Sequence, residues 1–253
     1  MNQYSTSPSA GTKRKGQDFF MGLRHGIPIA LGYLSVSFGI GITAVSQGLS
    51  VWTAVLISLT NLTSAGQVAG LSIIAAGGTF VEMALTQLVI NLRYALMSLS
   101  LSQKADESLN TPRRLVTAFG ITDEIFAVAS GRSGDVSAHY LYGLILLPVI
   151  GWTSGTLLGG LAGTILPEML CSALGLAIYG MFIAIIIPPA RAAVGVCVVV
   201  ALSAVCSCIL TYVPLFSGIS SGFSIIICAL IAALAGAVFF PRKGNTEGGE
   251  NHE

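Results

Sequence analysis

The sequence predicts an all-α polytopic integral membrane protein, and three observations carry that reading. Of 253 residues, 53% are hydrophobic and only 9% are charged, with a mean hydropathy of +0.81. Between Gly26 and Val81 no Asp, Glu, Lys or Arg occurs, and between Tyr140 and Pro241 only Glu168 and Arg191 interrupt. Apolar runs near the roughly 20 residues needed to cross a ~30 Å hydrocarbon layer recur along the chain. A formal net charge of +1 gives no electrostatic footprint for nucleic acid.

In chain order, residues 1–18 are rich in Ser, Gly, Lys and Gln without an apolar core, which predicts a disordered tail rather than a cleavable signal peptide. A transmembrane permease-sized domain over 19–241 follows, then a second disordered tail over 242–253. Six segments read as full spans: 26–46, 80–100, 140–165, 170–187, 192–212 and 222–240. Two more, 51–76 and 115–130, are apolar but carry polar residues at their centres and read as broken or re-entrant helices. Lys13, Arg14, Lys15 and Arg24 at one end, and Arg242 with Lys243 at the other, put both termini in the cytoplasm. If 51–76 dips in and out, Lys104, Arg113, Arg114 and Arg191 also fall inside. Eight crossings with broken helices is the competing arrangement.

The first interrupted segment holds Ser58, Thr60, Asn61, Thr63, Ser64, Gly66 and Gln67 where lipid least tolerates unpaired polar groups. One half-helix ends near Thr60 with free carbonyls, and a second begins at Ser64, read as the N-cap, with exposed N–H groups and a positive dipole end. Such a break holds an anionic and a cationic group together, the charge pattern of an amino acid zwitterion. Asn61, Thr63, Ser64, Gly66 and Gln67, with Asn91, are the candidate substrate-binding residues. The bland counterpart is helix-to-helix polar glue around Gly66.

The second interrupted segment carries Thr122-Asp123-Glu124, with Thr111-Pro112 as a helix start, Gly120 as a breaker and Thr122 as a cap over both acids. Arg93, in Asn91-Leu-Arg93-Tyr94, requires a neutralising carboxylate, for which Asp123 and Glu124 are better placed than Glu82. Arg93, Asp123 and Glu124 are therefore candidates for ion coupling or gating, against a structural ion pair. Gly151, Gly155, Gly159 and Gly163 recur every fourth residue and predict a close-packed helix face, its partner being in the same chain or in a second subunit of a homo-oligomer. A weak echo of Pro28, Gly32-Tyr33 and Gly39 in Pro148, Gly151-Trp152 and Gly159 suggests an internal repeat.

Four motifs in order, Phe20-Met-Gly-Leu-Arg24-His-Gly26-Ile-Pro28-Ile-Ala-Leu-Gly32-Tyr33, Ser64-Ala-Gly66-Gln67, Asn91-Leu-Arg93 and Thr122-Asp123-Glu124-Ile-Phe126-Ala, resemble the AzlC-type, azaleucine-resistance branched-chain amino acid exporters over about 19–240. The resemblance implies a permease of the bacterial inner membrane that exports leucine, isoleucine or valine with a small AzlD-type membrane subunit. Two positions depart from the family pattern: the polar Asn-Leu-Thr-Ser-Ala-Gly-Gln run, and Tyr94 where His is frequent. A pocket this polar also suits another small solute.

The expected function is ion-driven secondary transport. No nucleotide-binding motif is present. Cys171, Cys197, Cys206, Cys208 and Cys228 lack metal-ligand spacing, so neither cofactor nor metal is expected. A membrane-embedded enzyme using Asp123, Glu124 and His25 on a lipid-linked substrate is the alternative, disfavoured because no nucleophile or metal spacing accompanies them. A channel would need rings of like charge or carbonyl loops.

Overall fold

The structure, a computed structural model, describes residues 8–167, 169–170, 180, 183 and 186–240, with side chains from Lys15 onward. The chain divides into two compact units, Met1–Met181 and Phe182–Glu253. Every named element among the described residues is helical, and five helices are long and apolar enough to cross a membrane. The expected span over 170–187 and the tail over 242–253 lie largely or wholly outside the described residues.

In the first unit, α1 (Pro8–Ser46) and α7 (Ala138–Ile165) form the backbone of the fold. They run parallel and touch from Phe19 at Gly143 to Ile42 at Gly163. A side chain at Gly22 would strike the backbone at Tyr140 and Leu144, and one at Gly143 would strike Phe19 and Leu23, a reciprocal pairing. Further along, Gly41 faces Thr156 and Gly160, while Gly151, Gly155, Gly159 and Gly163 meet Ala30, Leu34, Phe38 and Ile42. The glycine stripe thus packs within the same chain, because only hydrogen at Cα lets two helix backbones approach this closely without a hydrophobic drive between them. Pro28 and Pro148 both sit inside these helices, so the sequence echo corresponds to two helices laid side by side.

Helix α1 begins at Pro8, not at 19 as a disordered tail over 1–18 would require. Its first turns gain an anchor: Asp18 pairs with Arg132 at 3.1 Å and accepts from the Ser137 hydroxyl at 2.8 Å.

The two interrupted segments become helical hairpins. The first is α2 (Val51–Thr60) and α3 (Ser64–Ala75), and the second is α5 (Thr111–Ala118) and α6 (Asp123–Ser130). Helix α2 starts beside Gly160, near the far ends of α1 and α7, and brings Ser58 to Thr156. Helix α3 then runs back antiparallel to α4 (Phe80–Ser102), with Thr63 at Tyr94, Gly66 at Gln87 and Gly78 at Glu82. Both ends of this hairpin therefore lie at one end of the unit.

Helix α4 ends at the opposite, basic end, where Leu101, Leu109 and Leu141 line a common cleft. From there α5 climbs to Gly120, which abuts Ile145, and α6 descends until Ser130 and Arg132 bond through their carbonyls to Lys104. Long helix plus half-helix hairpin thus occurs twice, α1–α3 and α4–α6, in opposite directions. This inverted relation was not visible in the sequence.

In the second unit, α8 (Val194–Tyr212) and α9 (Ser221–Phe239) form an antiparallel pair joined through a short 3-10 turn at Pro214–Phe216, with Gly195 against Phe240 and Gly236 against Val199.

Candidate functional site

The tips of the two hairpins meet about half-way along α1 and α7. At the first tip, Thr60 turns its hydroxyl back onto the Leu56 carbonyl at 2.8 Å, and Asn61 Oδ1 accepts from the Thr63 amide at 3.3 Å. This Asx turn competes with the helix ladder and ends α2. The cap of α3 is Thr63, whose Oγ1 accepts from the Gly66 amide at 3.2 Å; Ser64, the expected cap, is the first helical residue. Thr63 wins because its preceding residues are already extended by the Asx turn, so its backbone holds the β conformation a cap requires.

At the second tip Thr122 caps α6 as expected, accepting from the Ile125 amide at 3.4 Å. Asp123 meets Arg93 at 2.8 Å, with both side chains about half exposed. Glu124 does not share that cation: its Oε2 accepts from the Tyr33 hydroxyl at 2.6 Å, which also stands 2.6 Å from Thr122 Oγ1. Tyr33 in turn packs its ring edge against Trp152 at 5.4 Å. The two adjacent acids are thus held by different helices, one by α4 and the other by α1. Glu82, the third candidate for Arg93, is buried at the first turn of α4 and lies well away from it.

Between the tips lies a cavity of about 220 Å³ lined by Asn61, Leu62, Thr63, Asn91, Tyr94, Ala118, Phe119 and Ile121. Its size is below the ~300 Å³ at which drug-sized pockets begin, and suits a small solute. Tyr94 connects it to the ion pair: Arg93 Nη2 donates to the Tyr94 hydroxyl at 3.3 Å, and that hydroxyl reaches Thr63 Oγ1 at 3.5 Å. Asn91 Nδ2 donates to Gln87 Oε1 at 3.0 Å, and Gln87 Nε2 donates to the Gly66 carbonyl at 2.7 Å. Asn91 Oδ1 is buried and has no hydrogen-bond partner among the described residues, and Asn91 lines the cavity.

Of the expected substrate-binding residues, Asn61, Thr63 and Asn91 line the cavity, while Ser64, Gly66 and Gln67 do not. A side chain at Gly66 would lie 2.6 Å from Gln87 Oε1 and from Thr63 Cγ2, so its smallness serves the packing of α3 on α4. Gln67 is buried and spoken for at both ends. Its Nε2 donates to Ser58 Oγ at 2.6 Å, and its Oε1 accepts from Trp152 Nε1 at 3.1 Å. Ser58 also bonds Thr156 at 2.7 Å, so this network fastens the hairpin to α7. Tyr33, Ser58, Gln87, Tyr94, Trp152 and Thr156 complete the site, and sequence reasoning missed their roles. Their signal was weak: single polar or aromatic residues in apolar helices, each needing a partner from an element far away in the chain.

Comparisons with known proteins give the family. The family described as "AzlC protein" matches residues 28–166, which contain the glycine stripe, both hairpins and the ion pair. Among relatives, the chain is 26% identical over 235 residues to "Inner membrane protein YgaZ" of Escherichia coli (strain K12), covering 90% of this chain and 94% of that protein. It is 32% identical over 176 residues to an "Uncharacterized membrane protein" of Archaeoglobus fulgidus, covering 69% and 77% respectively. A membrane protein of Helicobacter pylori (strain 26695) is 29% identical over 144 residues, covering 55% of this chain and 62% of that protein. No solved structure matches the chain. The family match, over more than half of the sequence, makes this chain a member of the AzlC family of membrane proteins.

Proposed function

We propose that the chain is a secondary transporter that exports amino acids, branched-chain ones first (leucine, isoleucine and valine), across the bacterial cytoplasmic membrane. The observation that carries this reading is the small polar cavity where two opposed hairpins meet, with Asn91 Oδ1 as an open acceptor at its edge. An ammonium group supplies the donors that Asn91 Oδ1 lacks, and the hydroxyls of Thr63 and Tyr94 supply polar contacts for the carboxylate. Leu62, Ala118, Phe119 and Ile121 give the apolar wall a branched side chain needs. The inverted α1–α3 and α4–α6 arrangement favours alternating access, with one hairpin opening toward each side of the membrane.

Arg93, Asp123 and Glu124 serve coupling and gating in this reading. The Arg93–Asp123 pair is half exposed and exchangeable, while Glu124 is held by the neutral Tyr33 hydroxyl rather than by a cation. The basic cluster of Arg24, Lys104, Arg113 and Arg114 supports a cytoplasmic position for the end of the first unit where α1 begins. A small AzlD-type membrane subunit is the proposed partner, and exposed apolar stripes such as Leu85, Leu88, Leu92, Leu96 and Leu99 on α4 leave room for it or for lipid.

The test is counterflow of labelled leucine in vesicles containing this chain, with and without a small AzlD-type subunit. Exchange accelerated by unlabelled leucine, isoleucine or valine is the expected result. Absence of counterflow with every amino acid in both preparations would refute the reading. Asn91→Leu should weaken leucine binding at least about tenfold; it also removes the Asn91 Nδ2–Gln87 Oε1 hydrogen bond, so binding is compared on folded protein of matched monodispersity.

A further inference from the structure

The motif running from Phe20 to Pro28 takes no part in the cavity between the hairpins, yet it lines a second, wider cleft of the first unit. That cleft, about 710 Å³, is bounded by Met21, Arg24, His25 and Pro28 of α1, by Val128 of α6, by Gly131, Arg132 and Ser133 after it, and by Tyr140 of α7. Its polar groups are cationic or donors. Arg24 is exposed and has neither an ion-pair nor a hydrogen-bond partner among the described residues. Arg132 lies over the Tyr140 ring at 4.3 Å and gives Nη2 to Asp18, but its Nη1 is buried without a partner among the described residues. His25 Nδ1 stands 2.8 Å from the Tyr140 hydroxyl, and its other ring nitrogen has no partner among the described residues. Asp18 is the acid that faces this group, and it is already engaged by Arg132 and Ser137.

The surroundings of Arg24 are apolar. Phe20, Arg24, Ile27 and Leu31 follow one face of α1 at helical spacing, and Phe20, Ile27 and Leu31 are exposed at 71%, 47% and 64%. Arg24 lies about 9 Å further along the helix axis than Asp18 at ~1.5 Å per residue. A cation at that depth, with acyl-compatible side chains on one side and a second guanidinium across a cleft, matches a phosphate carried on hydrocarbon chains.

We propose that this cleft binds the phosphate of an anionic phospholipid, with Arg24 and Arg132 contacting the headgroup oxygens and the Ile27 and Leu31 face receiving an acyl chain. Guanidinium forks suit phosphate oxygens, and the exposed Arg24 gains the anion it lacks among the described residues.

The test uses the purified full chain in a neutral detergent, where no charged bilayer surface exists, titrated with phosphatidylglycerol or phosphatidylcholine and read by native mass spectrometry. Phosphatidylglycerol should be retained at least about tenfold more tightly than phosphatidylcholine. Arg24→Gln should remove most of that preference, Arg24→Lys should keep part of it, and Lys15→Gln, two turns or more away on the same helix, should leave it unchanged. Equal retention of the two lipids overturns the proposal. So does an equal loss in Arg24→Gln and Lys15→Gln, which would mean only a general attraction of a basic end. Inorganic phosphate displacing the lipid at equal concentration would also overturn it, by assigning the cleft to a free anion.

Discussion

Replacing Gln67 by Met keeps nearly the same volume and removes both hydrogen bonds that fasten the first hairpin to α7. The two bonds are not equivalent. Ser58 loses the donor at 2.6 Å but keeps Thr156 at 2.7 Å, so this side costs about 0.6 kcal/mol, the average for a helix-to-helix bond in a membrane protein. Trp152 is 1% exposed, and its Nε1 loses the acceptor at 3.1 Å with no water to replace it; an orphaned buried donor costs about 1 to 3 kcal/mol. Gln67→Met should therefore destabilise the chain by about 1.5 to 3.5 kcal/mol. Trp152→Phe removes the orphan, so in the double variant the two costs should fall short of their sum by about 1 kcal/mol or more. The assay is reversible unfolding of the purified chain in mixed micelles for the four members of the cycle. Costs that add within about 0.3 to 0.5 kcal/mol would refute the network as the fastening of the hairpin. Leucine binding in the folded Gln67→Met variant should change only through the hairpin's position. A loss of binding with unchanged stability would instead return Gln67 to direct contact with the substrate.

Three further outcomes follow from the geometry. The loop between α4 and α5 should be cytoplasmic: Glu107→Cys, in a background without native cysteines, should resist membrane-impermeant labelling in intact cells, and ready labelling would favour eight crossings. Glu107 is preferred to Ser108 because the Ser108 side chain is bonded to Asp106 and to the Ala138 amide. Gly159→Val should abolish folded protein, since its side chain would strike the Phe38 carbonyl, whereas Gly32→Ala, in open space on α1, should gain about 0.5 to 1 kcal/mol from reduced unfolded-state entropy; comparable thermal midpoints for the two would contradict the α1–α7 packing. Asp123→Asn and Glu124→Gln should abolish gradient-driven export in at least one case while sparing part of the exchange, and full activity in both would leave the acids a structural role.

The sequence by itself determined the class of fold, the ends of most of its long helices, though not the start of α1, and the places where apolar segments had to break. These are local properties: hydrocarbon thickness fixes span length, and Thr-Pro, Asx and Thr signals end or start helices within a few residues. It also narrowed the partner of Arg93 to Asp123 or Glu124, because a lone cation in an apolar helix demands a carboxylate, and the structure gives Asp123. The glycine stripe announced a close helix contact but not its partner, which is α1 running parallel, since a smooth face is complementary to many others.

The tertiary structure alone decided which polar residues face the cavity and which are consumed by the scaffold. Gln67 and Asn91 look alike in sequence, each an amide in an apolar helix. Gln67 is satisfied at both ends by α2 and α7, while Asn91 keeps an open acceptor beside the cavity. Glu124 and Asp123 are adjacent, yet one turns to Tyr33 and the other to Arg93. The direction of each hairpin, and hence the inverted pairing of α1–α3 with α4–α6, also came only from contacts. A break of three residues at 61–63 permits the chain to continue or to return, and the bonds from Ser58, Gln67 and Gln87 to α3, α4 and α7 make it return.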